Sequence, residues 1–277
     1  MGKFIDLHTH SDYSDGTDRP GRILSKAVRA GLSAIAITDH DSIAGQQEAI
    51  EIAEGLGIEY ITGIEFSTKH NRTKYHILGY FIEPGNQQLI ATEKSLLEQR
   101  MERGRKMLEK LANIRKPLEF DDVLTFFTGN CLTRLHIAKA MVKRGYVRNV
   151  QEAFDKYIAK GKPAYVPRKG LYTKEAIKLI HQAGGIAVWA HPFIMGKLSH
   201  LPDLLSWGLD GIEVYYPKHS PENVKILEKY ADKYGLVKTG GSDYHGKGTD
   251  MEEIGKFKVP YSLLEAMKER LRYTQRR

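Results

Sequence analysis

Short runs of Ile, Val, Leu, Phe and Tyr recur along the chain, each bounded by turn residues or by a segment of helical period. Seven of them read as buried strands, at residues 4–7, 34–38, 60–64, 75–81, 186–190, 211–215 and 236–239. The runs are nearly continuous in apolar residues rather than alternating, as strands covered on both faces require. Between most of them, apolar positions return at helical spacing over residues 23–30, 46–54, 174–183 and 221–234. Pro20 behind Thr17 and Asp18, and Ser42 ahead of the second segment, are helix-start signals. Strand alternating with helix predicts an α/β fold built on a parallel sheet or barrel.

The alternation stops between about residues 84 and 160. Leu89, Leu96, Leu97, Met101, Met107, Leu108 and Leu111 mark out one long charged helix there, and helical pattern resumes at 135–144 and 150–159. The expected organisation is a barrel made of residues 1–84 and 161–277, with residues 85–160 as a helical insertion covering the active site.

Composition narrows the chemistry. A chain of 277 residues with 41% hydrophobic and 27% charged positions can bury a large core and is not a disordered protein. The single cysteine, Cys131, forbids an internal disulfide and a four-cysteine zinc site, so any metal must be held by His, Asp and Glu. Cys131 itself reads as a packing residue rather than a nucleophile. No leader-like opening and no apolar stretch of membrane-spanning length is present, so the expected location is the cytoplasm. The formal net charge is +8, but residues 94–178 hold 20 Lys+Arg against 9 Asp+Glu, a net of +11, while the remainder is at −3. The surplus is therefore regional and points to an anionic partner met by the insertion.

Metal-type side chains gather where the strand-like runs end. Residues 4–7 lead into His8-Thr9-His10, whose two imidazoles share one face of an extended chain. Asp15 follows in a Ser-Asp-Gly turn, His40 ends the second run, Glu65 the third, His191 the fifth, and Asp243 and His245 follow the seventh. His76 breaks the rule by standing near the start of its run. The carboxyl ends of parallel strands are where catalytic groups collect in such folds. Nine ligands are too many for one four-coordinate ion and suit two or three bridged divalent ions, with Zn, Mn or Fe all compatible with the donor set. A phosphate-binding Gly-Lys-Ser/Thr loop, a Gly-x-Ser-x-Gly elbow and a His-Glu-x-x-His helix are all missing.

Six motifs in order, His8-Thr9-His10, Ser14-Asp15-Gly16, Thr38-Asp39-His40, Gly63-Ile64-Glu65, Ala190-His191-Pro192 and Ser242-Asp243-Tyr244-His245, resemble the PHP (polymerase and histidinol phosphatase) family. The resemblance implies a distorted (β/α)7 barrel and a trinuclear centre that hydrolyses phosphoesters, with a metal-bridging hydroxide as nucleophile. By position it places His8, His10, Glu65 and Asp243 around one ion, Glu65, His76 and His191 around a second, and Asp15, His40 and His245 around a third. Asp243 and His245 are then catalytic as well, and His219 is the candidate donor to the leaving oxygen. The insertion and the stretch Thr133-Arg134-Leu135-His136 are similar to small stand-alone members of the family. Those members remove the 3′-phosphate of nucleoside 3′,5′-bisphosphates or trim the 5′ ends of short RNA.

The expected substrate is thus a small phosphorylated molecule, a nucleotide or short oligonucleotide, gripped by Arg134, Lys162 and Arg168, with no duplex DNA and no membrane as partner. A histidinol-phosphate or sugar-type phosphatase is the enzyme rival. A nucleic-acid-binding module with structural metals is the alternative of a different class.

Overall fold

The computed structural model describes residues 2–126, 132–249, 251 and 253–275, so Cys131 lies outside the described residues. Nine strands are present among them: β1 (Phe4–Asp6), β2 (Ala34–Ile37), β3 (Glu59–His70), β4 (Thr73–Tyr80), β5 (Leu171–Tyr172), β6 (Ile186–Trp189), β7 (Gly211–Tyr215), β8 (Val237–Gly240) and β9 (Val259–Pro260). Eight of these form one path, β8-β7-β6-β4-β3-β2-β1-β9, with β5 paired to β3 off it. The result is the nearly closed barrel implied by the family resemblance, and all seven expected runs are strands in it. The two-residue strands β5 and β9 carry too little periodicity to be seen beforehand.

The sheet is mixed, which corrects the all-parallel expectation. β4 runs antiparallel to both β3 and β6, whereas β1, β2 and β3, and likewise β6, β7 and β8, run parallel. The cause is local. Asn71 and Arg72 both hold positive φ, 45° and 63°, between His70 and Thr73, which pair across the turn. Two left-handed residues make a hairpin turn whose twist matches the strands it joins, so no crossover helix separates β3 from β4. The reversal also explains His76: the start of β4 lies at the same end of the barrel as the carboxyl ends of its neighbours.

Ten α-helices are described: α1 (Pro20–Arg29), α2 (Gln46–Leu56), α3 (Gln87–Asn113), α4 (Phe120–Leu124), α5 (Arg134–Lys143), α6 (Val150–Ala153), α7 (Thr173–Gln182), α8 (Leu201–Ser206), α9 (Pro221–Tyr234) and α10 (Ser262–Gln275). Helices α1 and α2 press Ile23, Leu24, Ala27, Ala49 and Ala53 against the barrel. Helix α3 serves two cores. Its early Leu89 and Leu96 pack with barrel residues Ile64, Phe66 and Trp189, and its later Met107, Leu108 and Leu111 pack with Ile137, Met141 and Ile158 of the helical segment. No described helix is long and apolar enough to cross a membrane.

Closure of the barrel depends on Gly240 and Gly241. The Leu7 amide donates to the Gly240 carbonyl at 3.3 Å, and the His10 amide donates to the Tyr244 carbonyl at 2.8 Å, so the end of β1 is stitched to the chain leaving β8. A Cβ on Gly241 would lie 2.4 Å from the His8 amide nitrogen and 2.5 Å from the His8 Cβ. One is a backbone atom and the other is the Cβ fixed directly to the backbone, so neither can step aside cheaply. Gly241→Ala is therefore expected to lower unfolding stability by about 1–3 kcal/mol, seen as a lower urea midpoint at unchanged slope. An unchanged midpoint would show that the closure tolerates a methyl group.

Candidate active site

The site begins at the end of β1. His8 and His10 face one way while Thr9 faces the other, where its hydroxyl donates to the Ala36 carbonyl at 2.8 Å. The loop that follows is organised by Asp39, which is fully buried and accepts from the Ser11 amide at 2.8 Å and from the Ser11 and Ser14 hydroxyls, each at 2.5 Å. That loop delivers Asp15 to His245, at 3.3 Å, and toward His40, at 3.9 Å.

Glu65 stands at the centre, buried in the middle of β3. Its Oε2 faces His8 Nε2 at 3.5 Å, His10 Nε2 at 3.2 Å and His40 Nδ1 at 3.0 Å. Its Oε1 faces His76 Nδ1 at 2.7 Å and His191 Nε2 at 3.0 Å. Asp243 Oδ1 closes the group from the other side, 3.3 Å from His8 and 3.2 Å from His10. Asp243 and His191 both adopt positive φ, 53° and 30°, a strained conformation held here by the surrounding contacts.

All nine ligand candidates thus converge. Their donor atoms form four overlapping groups that can each hold an ion: His10, Asp15, His40 and His245; His8, His10 and Asp243; His8, Glu65 and His191; His40, Glu65 and His76. Hydrogen bonding alone does not satisfy them. His8 Nδ1 bonds Glu213 at 2.8 Å while its Nε2 faces two carboxylate oxygens, and these anions, against burial, push the ring's pKa well up, so the position calls for positive charge. Among the described residues, His8 Nε2, His10 Nδ1 and Nε2, His40 Nδ1, His76 Nδ1 and Glu65 Oε2 are buried with no hydrogen-bond partner. A cation between them supplies that charge, so the donor set fits divalent metal ions.

The electrostatics agree. Burial opposes the charge on Glu65, yet the imidazoles around it, His40 foremost, hold its carboxyl well below the usual range, and Asp243 is lowered in the same way by His8 and His245. Burial by itself would lower His10, but Asp243 and Glu65 push it up to about 10, so its place in the site attracts positive charge. Burial takes His76 down to about 4, leaving it neutral and ready to coordinate.

Two supporting residues escaped the sequence reading. Glu213, fully buried on β7, accepts from the His8 ring through Oε1 and from the His191 amide through Oε2, both at 2.8 Å. It fixes the tautomer of one ligand and the backbone of another. The signal was a lone carboxylate inside the apolar run Gly-Ile-Glu-Val-Tyr. Tyr216 donates to Asp243 Oδ2 at 2.9 Å.

A cleft of about 380 Å³ opens beside Asp15, His40 and His76. Its walls bring together Arg134 and Arg168 with Arg100, Arg103, Lys74 and Lys160, of which the last four were not among the candidates of the sequence analysis. Arg100 and Arg168 both donate to the buried Asp41, the latter at 2.6 Å. Lys162 is not brought in. It is exposed in the turn where its amide bonds the Ala159 carbonyl, and Lys160 lines the wall instead. Nor does His219 line the cleft. Its Nδ1 bonds the Val214 carbonyl at 2.9 Å and burial lowers its pKa, so the neutral ring carries no proton on Nε2 to give a leaving oxygen. The role expected of His219 is therefore withdrawn.

Comparison with known proteins places these features in context. Residues 6–247 match the family model described as PHP domain. A 3′,5′-nucleoside bisphosphate phosphatase from Chromobacterium violaceum is 34% identical over 91% of this chain and 90% of its own length. A 5′-3′ exoribonuclease from Haemophilus influenzae is 34% identical over 88% and 91%. A phosphoribosyl 1,2-cyclic phosphate 1,2-diphosphodiesterase from Eggerthella lenta is 34% identical over 92% and 98%. A solved structure from Bifidobacterium adolescentis, described as a candidate metal-dependent phosphoesterase, superimposes with a TM-score of 0.89 at 30% identity, covering 97% of this chain and 96% of the other.

Glu213 offers a test of the centre that spares the ligands themselves. Glu213→Gln is expected to weaken metal binding by about 10–100-fold in a metal titration, with the circular dichroism spectrum preserved. Undiminished affinity would mean that His8 is oriented by other contacts.

Proposed function

This chain belongs to the PHP domain family and is a metal-dependent phosphoesterase, a hydrolase of phosphoester bonds, and from that premise we propose that it removes the 3′-phosphate of nucleoside 3′,5′-bisphosphates. One observation carries the reading: the cleft that reaches His40, His76 and Asp15 is walled by Arg100, Arg103, Arg134 and Arg168. A reacting phosphate at the cluster and a second phosphate on guanidinium suit a substrate with two phosphates on one ribose. The name of the Chromobacterium violaceum relative supports the same substrate class.

In this reading His8, His10, Glu65 and Asp243 hold one divalent ion, Glu65, His76 and His191 a second, and Asp15, His40 and His245 a third, of Mn, Fe or Zn. When bound, such ions polarise the phosphoryl oxygens and lower the pKa of water, so the chain needs no nucleophile of its own. The chain's residues do the rest. Glu213 and Tyr216 orient His8 and Asp243, and Asp39 holds the loop bearing Asp15. Arg134 and Arg168 bind phosphate, and the helices of residues 85–160 act as a cap that brings Arg100, Arg103 and Arg134 over the barrel mouth.

A second reading, 5′-3′ exonuclease action on short RNA, is favoured by Lys69, Arg72 and Lys74 on the β3–β4 hairpin, which extend the cationic wall away from the cluster. The name of the Haemophilus influenzae relative points the same way. A product ladder from a short oligonucleotide, lost in His8→Ala, would establish it.

For the first reading, phosphate release from 3′,5′-bisphosphoadenosine should exceed release from histidinol phosphate, and chelation should abolish both. Asp243→Ala is expected to lower kcat by more than about 100-fold while the chain stays folded. Equal turnover of the two substrates would overturn the bisphosphate assignment.

A further inference from the structure

Helix α6 does not end at Ala153 but widens into one π-helical turn, Phe154–Ile158, in which the Ala159 amide reaches back five residues to the Phe154 carbonyl at 3.1 Å. Such turns are uncommon and often stand at functional sites. Here both ends of the turn meet one side chain of the cleft. The Arg134 guanidinium lies over the Phe154 ring, 5.1 Å from its centroid, and Arg134 Nη1 donates to the Ile158 carbonyl at 3.3 Å. The turn is itself anchored. Ile158 is fully buried in the cluster that contains Ile137 and Met141 of α5, and Phe154 packs against the same cluster. Arg134 is the first residue of α5, so one small core fixes both the arginine's backbone and the surface that supports its head.

Arg134 needs such support. Burial and the neighbouring Arg100 both work against its charge, and Arg103 and Lys74 feel Arg134 in turn. A long cation among cations gains by swinging to water, and its rotamer entropy favours that escape. A ring beneath the guanidinium plane and a carbonyl at its edge oppose it.

We propose that the π-helical turn is a positioning device: Phe154 and the Ile158 carbonyl hold Arg134 by face and by edge, so that its guanidinium is already placed for a substrate phosphate. This rests on the reading that Arg134 binds phosphate, and it goes further by making Phe154 a positioning residue rather than a contact for the nucleobase.

The experiment is a double-mutant cycle on the full chain with 3′,5′-bisphosphoadenosine, read as KM and kcat, and as Kd in an Asp243→Ala background so that binding is seen apart from turnover. Phe154→Leu keeps the packing but removes the aromatic face. It should raise KM and Kd about 3–10-fold with kcat within about two-fold, while Phe154→Tyr should stay near the unsubstituted values. Arg134→Ala should raise KM and Kd about 100-fold, and Phe154→Leu should then add nothing. Additive effects would overturn the proposal, as would a Phe154→Leu effect that disappears with ribose 3,5-bisphosphate, since that is the mark of direct stacking on the base. An unchanged KM and Kd in Arg134→Ala would sink the phosphate-binding role of Arg134 and this proposal with it.

Discussion

The structure turns on a single buried carboxylate. Glu65 sits in the middle of β3 with essentially no exposure, and five imidazoles from four other strand ends point at its two oxygens. A lone carboxylate in such a place would be very costly, and a ring of unprotonated nitrogens around it no less so. The arrangement is sustainable only with positive charge shared among them. The strands that carry these residues must therefore end at one level, and much of the barrel's geometry serves that requirement.

Two local devices meet it. The left-handed pair Asn71 and Arg72 reverses the chain so that β4 presents His76 from its beginning, where the parallel strands present ligands from their ends. Gly241 lets the chain leaving β8 come close enough to His8 for Asp243 to share His8 and His10 with Glu65. Behind the ligands, Glu213, Asp39 and Tyr216 supply the hydrogen bonds that set ring orientation and loop shape. They lie in the same buried layer as the ligands and make the centre rigid before any ion enters.

The cationic side of the cleft follows a different logic. Its arginines are borne mainly by the helical segment and its flank, and each is tied down by a neutral or anionic partner: Arg100 and Arg168 by Asp41, Arg103 by the Val166 carbonyl, Arg134 by Phe154 and the Ile158 carbonyl. Repulsion among these cations is relieved when an anion enters, which favours a phosphorylated ligand over a neutral one. The net of +11 over residues 94–178 is thus partly a local feature of this wall and partly ordinary solvation of helix faces such as that bearing Lys106 and Lys156.

The chain's own order of residues determined the seven main strands, the long helix after residue 84 and the nine ligand candidates, because strand ends, apolar runs and closely spaced His and Asp are local properties. The tertiary structure decided what is not local. Glu213 reads as one polar residue in an apolar strand until its neighbours His8 and His191 arrive from 205 and 22 residues away. Lys162 and Lys160 are two positions apart in similar surroundings, and only the turn at Ala159 sends one to solvent and the other to the cleft. His219 looked like an acid for its place after a strand, yet a carbonyl bond to Val214 takes its proton elsewhere. Which face a side chain shows, and which hydrogen it has left to give, depend on contacts between segments far apart in the chain, and these exist only once it has folded.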